Sequence, residues 1–96
     1  MPPVRAYSAP MDGSHAVKWR EGRGSLHAGR LELNGRHLTL SGTGPEGRIA
    51  QLRVFFDDID EVRIGREARE RIGESRTVVL ERVGAAPVYI AGMTGG

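Results

Sequence analysis

The 96-residue sequence contains no cysteine, so neither a disulfide nor a thiolate metal site supplements its core. Aromatic residues make up only 5% of it, with a single Trp. That leaves few candidates for the stacking platforms with which small β-domains hold single-stranded nucleic acid: Tyr7, Trp19, Phe55 and Tyr89. Lysine is almost missing, Lys18 being the sole example, and the 14 basic residues are nearly offset by 12 acids. The resulting net charge of +2 is not the concentrated basic excess of a typical nucleic-acid binder. No apolar run approaches the roughly 20 residues needed to span a bilayer. The first ten residues hold no apolar stretch of the kind a secretory signal carries. The expected setting is therefore cytoplasmic, without a transmembrane segment.

What is present is β-structure. Gly29 to Gly42 reads as a hairpin: Leu31 and Leu33 alternate with Arg30 and Glu32, Asn34-Gly35 supplies the turn, and Leu38 and Leu40 resume the alternation. A two-residue type I′ turn there predicts Leu31 opposite Leu38 and Glu32 opposite His37. Further strands are expected over Ala16 to Arg20, Ser25 to Leu33, Arg36 to Ser41, Arg48 to Phe56, Ile59 to Gly65, Arg76 to Val83 and Val88 to Ala91. Asp57-Asp58 makes a corner, Gly42 to Gly47 a loop, and Ala85-Ala86-Pro87 a turn. Arg66 to Ile72 reads as a helical turn or a charged loop, with Arg66/Glu70 and Glu67/Arg71 at i,i+4 spacing. The organisation expected is an N-terminal arm over 1–14, one β-domain over 15–92 and a tail over 93–96. Six or seven short antiparallel strands predict an all-β fold, a small barrel or a strongly bent sheet.

Leu33-Asn34-Gly35-Arg36-His37-Leu38-Thr39-Leu40 and Val54-Phe55-Phe56-Asp57-Asp58-Ile59-Asp60-Glu61-Val62, followed by the strands Thr77 to Val83 and Val88 to Gly92, resemble bacterial pleckstrin-homology-like and GRAM-type domains. The resemblance spans Gly24 to Gly92. It implies a non-catalytic interaction fold. Independently of the resemblance, Asp58 is expected to accept from backbone N–H groups at the corner, with Ile59 and Val62 pointing into the core on either side of it. That family ends in an amphipathic helix which plugs one open end of the barrel, and Met93-Thr94-Gly95-Gly96 cannot form it. The expectation is either that the sheet is completed another way or that a partner chain covers the apolar end, with a second copy of the chain preferred. The lipid activity of the family does not carry over, because the hairpin loop Asn34-Gly35 is short and has Arg36 alone beside it.

Catalytic, cofactor and metal sites are not expected. Ser41 and Ser75 lack a G-x-S-x-G setting, and Gly42 to Gly47 lacks the Gly-Lys-Ser/Thr of a P-loop. Asp57, Asp58, Asp60 and Glu61 lack EF-hand spacing, and His15, His27 and His37 lack the spacing of a zinc site. The candidate interaction surface comprises Trp19, Phe55, Tyr89 and Met93. The alternative function is binding of an anionic ligand, an acidic lipid headgroup or nucleic acid, through Lys18, Arg20 and Arg23 together with Arg66, Arg69, Arg71 and Arg76.

Overall fold

The computed structural model describes residues 13–93; the expected arm and tail lie almost wholly outside them. Among the described residues seven strands follow one another: β1 (Ser14–Glu21), β2 (His27–Leu33), β3 (His37–Thr43), β4 (Ile49–Phe55), β5 (Ile59–Ile64), β6 (Thr77–Arg82) and β7 (Ala85–Gly92). They form a single antiparallel sheet in the order β4-β3-β2-β1-β7-β6-β5. The all-β expectation holds in its bent-sheet form. Among the described residues the sheet does not close into a barrel, and β4 and β5, consecutive in the chain, are its two unpaired edges. No described helix is long and apolar enough to cross a membrane.

Period-two alternation builds the core. Val17 and Trp19 of β1, Leu38 and Leu40 of β3, Val54 of β4, Leu80 of β6 and Val88 and Ile90 of β7 pack into one buried cluster. Leu31, Leu33, Leu52, Ile59 and Val78 lean against it, half-buried. β6 is buried on both faces: Thr77 and Val79, on the side opposite Val78 and Leu80, are fully enclosed. Ile72, also buried, donates its N–H to the Thr77 hydroxyl at 2.8 Å, so the segment between β5 and β6 folds back over the outer face there.

The β2–β3 hairpin differs from its expected register by two residues. Leu33 pairs with Leu38, Leu31 with Leu40 and Glu32 with Thr39. The reason is the turn. Neither Asn34 nor Gly35 adopts positive φ, so no type I′ turn forms. The Asn34 side chain closes a longer loop instead, its Oδ1 accepting from the N–H groups of Arg36 at 2.7 Å and His37 at 2.9 Å. A slip of two preserves which face each side chain occupies, so the apolar face survives. On the β2 side His37 consequently stands opposite Asn34 rather than Glu32, and on the β4 side it pairs with Phe55.

Three other expectations are corrected. The β6–β7 turn is Val83-Gly84, with Gly84 at φ 72°, and Ala85 to Pro87 already belong to β7. Within Arg66 to Ile72 only a 3-10 turn forms, Ala68–Glu70, too short for the i,i+4 ion pairs; Glu70 bonds Arg63 and Glu67 bonds Arg69 instead. Ile59 does lean on the core, but Val62 is 61% exposed. The Asp58 corner is tied by its main chain, the Asp58 carbonyl accepting from Val83 N–H at 2.9 Å.

Candidate interaction surface

Trp19 is not a surface residue. It is 3% exposed, stacks on His27 at 4.6 Å between centroids and donates its indole N–H to the Ser41 carbonyl at 3.0 Å. Val17, two residues earlier, shares its face, which is why Trp19 points inward. The indole reaches from β1 to β3 and so spans β2, beside the facing glycines Gly29 and Gly42. A Cβ at Gly29 would lie 2.0 Å from the Ser41 oxygen, so this close strand crossing and the tryptophan bond depend on the same absent side chain.

The other three candidates reach solvent in different places. Phe55 is 45% exposed, on the outer side of β4. Met93 follows β7 and is 44% exposed, its N–H bonded to the Ala16 carbonyl. Tyr89 is half-buried under the Arg20 guanidinium, which stands 4.4 Å above the ring. They do not form one patch with Trp19.

Of the exposed apolar side chains that sequence reasoning missed, Val62, Ile64 and Ile49 lie on the edge strands, whereas Val83 and Leu26 sit in the β6–β7 turn and the β1–β2 loop. Val62 and Ile64 of β5 pair with Leu80 and Val78 and so face the core side, yet they are 61% and 48% exposed. Ile49, at the start of β4, is 86% exposed. Its signal was present, because Ile49, Gln51, Arg53 and Phe55 alternate on one face, but only Phe55 stood out as aromatic.

The main chain of β4 is equally open. Gly44 N–H bonds the Arg48 carbonyl and Phe56 N–H bonds the Arg36 carbonyl, both continuing the β3–β4 register. Antiparallel bonds alternate in direction. Even-numbered residues of β4 therefore face β3, while the N–H groups of Ile49, Gln51, Arg53 and Phe55 point away from the sheet. β4 carries no proline and no register irregularity, unlike β5, where a bulge lies between Ile59 and Glu61. Proline, bulges and charge are the usual guards of an edge strand, and β4 has only Arg53.

Six of the seven candidate basic residues divide between two clefts. Arg20, Arg23 and Arg69 converge with Tyr89 around one of about 360 Å³, where the Arg20 guanidinium also donates to the Arg69 carbonyl. Residues from both basic groups of the sequence thus meet, and no carboxylate lines the cleft, although Glu67 pairs with Arg69 at 2.8 Å. Arg66, Arg71 and Arg76 line a second, of about 500 Å³, together with Glu74. Lys18 lines neither; it is exposed on the outer face of β1.

The strongest electrostatic contact is structural. The Arg63 guanidinium grips both oxygens of buried Glu70, at 3.0 and 2.6 Å, and reaches Glu81 at 2.8 Å. Glu70 also accepts from the Arg66 N–H at 3.0 Å. The Arg63 fork, then the Arg66 N–H, hold the Glu70 carboxyl down at about 2 against the opposing effect of burial. Arg63 is raised in turn, by Glu70 first and Glu81 second. This pair pins the segment between β5 and β6 onto the outer face.

Among the described residues, no group of three or more His, Asp or Glu side chains is placed to hold a metal ion. No protein-family model matches the sequence, and no curated protein matches it. Among solved structures, the chain is similar to the C-terminal domain of an unknown protein from Leishmania infantum. The identity is 16% and the TM-score 0.61, over 94% of this chain and 82% of that one. At that identity the likeness speaks for the fold alone.

Proposed function

We propose that the chain is a non-catalytic protein-interaction or self-assembly module of pleckstrin-homology-like type. The observation that carries this reading is that, among the described residues, the sheet ends in two unpaired edges, each bearing large exposed apolar side chains: Ile49 and Phe55 on β4, Val62 and Ile64 on β5. Apolar groups gathered at unsatisfied strand edges favour contact with another protein. The test is the solution mass of the chain across a wide concentration range, by light scattering behind size exclusion, at low and high salt. A defined oligomer whose mass persists at high salt is the expected result, since apolar and main-chain contacts are little screened. A monomer throughout, with no protein partner recovered on crosslinking in its native cell, refutes the reading.

A second reading, binding of an anionic ligand such as an acidic lipid headgroup or nucleic acid, is favoured by the meeting of Arg20, Arg23 and Arg69 around one cleft free of carboxylates. Guanidinium groups bind phosphate in a fork. Its mark is nucleic-acid or anionic-vesicle binding that weakens steeply with salt and is lost in the Arg23→Ser/Arg69→Ser double variant.

A further inference from the structure

We propose that β4 pairs antiparallel with β4 of a second copy of this chain, about a two-fold axis passing beside Leu52, with Ile49 opposite Phe55 and Gln51 opposite Arg53. The proposal rests on the assembly-module reading and adds its partner, surface and register.

Complementarity of β4 with itself selects the register. The outward main-chain groups belong to odd-numbered residues, so only registers that oppose odd to odd satisfy them. Centring on Leu52 lets Gln51 and Arg53 exchange both main-chain bonds on either side of the axis, and Phe55 N–H reach the Ile49 carbonyl. Both exposed apolar side chains are then covered at once, Ile49 at 86% exposure against Phe55 at 45%. The single charge of the strand faces a neutral amide. Sliding one copy two residues one way sets Arg53 opposite Arg53, an unfavourable like-charge pair. Sliding it the other way sets Gln51 opposite Gln51 and leaves Phe55 beyond the end of the partner strand. The centred register alone uses the whole strand, and its isologous symmetry closes as a dimer. Pairing β4 with β5 of another copy would be head-to-tail, building a ring or an open filament rather than a dimer, and the bulge between Ile59 and Glu61 disturbs the ladder it would need.

The sequence has no cysteine, so introduced thiols report cleanly. Gln51→Cys and Arg53→Cys proteins are prepared separately, then oxidised alone and mixed. Hydrogen-bonded antiparallel partners stand about 5.5 Å apart at Cα, within the span a disulfide bridges. The expected result is a dimeric crosslink in the mixture and little in either protein alone. Crosslinking of Arg53→Cys with itself, or of Gln51→Cys with itself, overturns the register. A dimer that persists without any of these crosslinks overturns β4 pairing while leaving the assembly module intact through another surface, such as Val62 and Ile64. A monomer under all conditions overturns both. In parallel, Gln51→Arg sets two arginines opposite one another at both symmetric positions, raising the dimer Kd roughly two- to thirtyfold, and Gln51→Glu lowers it. Equal dimerisation by both charge variants also overturns the proposal.

Discussion

Replacing Trp19 by Ala separates a core role from a surface role for this residue. Trp19 is 3% exposed and belongs to the main buried cluster. Truncating a buried Trp costs about 3–5 kcal/mol through lost burial and the cavity left behind. The Ser41 carbonyl also loses its indole donor, which belongs within the same range. A domain of this size has about 5–14 kcal/mol of stability in total, so the loss is a large share of it. At roughly 4–8 °C per kcal/mol for a domain of this length, Tm falls by at least about 12 °C. Phe55→Ala, made at a side chain 45% exposed, costs no more than about 1 kcal/mol. Far-UV circular dichroism is the assay, because Trp19 is the single Trp and its fluorescence disappears with it. A drop below about 5 °C for Trp19→Ala, or one equal to that of Phe55→Ala, refutes the core placement.

Gly29→Ala is expected to destabilise the domain by more than a typical surface change, because the new Cβ meets the Ser41 oxygen at 2.0 Å and the Gly42 Cα at 2.4 Å. A Tm within a few degrees of the parent would contradict the close β2–β3 crossing. Asn34→Ala removes the acceptor shared by the Arg36 and His37 N–H groups and costs about 1 kcal/mol, read as a lower urea midpoint. No change would mean the loop closes without that side chain. The Glu70 carboxyl is depressed from 4.5 to about 2 when folded. A depressed acid stabilises the folded state above its unfolded pKa, and that contribution is lost as pH falls from about 4.5 towards 2. The parent therefore loses stability over this window, whereas Glu70→Gln starts less stable at neutral pH and loses less across it. Parallel acid-unfolding curves would show that the Arg63–Glu70 pair is not formed.

The strands were legible because their alternation is strong: Leu31/Leu33, Leu38/Leu40 and Leu52/Val54 each put two apolar residues on one face. Phe55 could be placed outside by the same alternation. Sequence reasoning places Trp19 on the surface although Val17 shares its face, because a lone tryptophan in a short strand also suits a binding surface; it is buried. What could not be read locally was any choice decided across the fold. The hairpin register turned on the Asn34 side chain satisfying two N–H groups, where Asn-Gly chemistry equally suits a tighter turn. Glu70 left its helical neighbours for Arg63 because that guanidinium is presented by β5 on the same outer face. The meeting of Arg20, Arg23 and Arg69 depends on where the segment between β5 and β6 folds back. That β1 joins β7, leaving β4 and β5 as open edges, is a long-range pairing with no local mark.

The most direct measurement is amide hydrogen exchange along β4 as the protein concentration is raised. In the isolated chain, Leu52 and Val54 bond β3 while the Gln51 and Arg53 N–H groups face outward, so the first pair is protected and the second exchanges freely. Edge pairing predicts that Gln51 and Arg53 gain protection as concentration rises, with Leu52 and Val54 protected throughout. Exchange at Gln51 and Arg53 that stays fast at concentrations where the chain is oligomeric would contradict it.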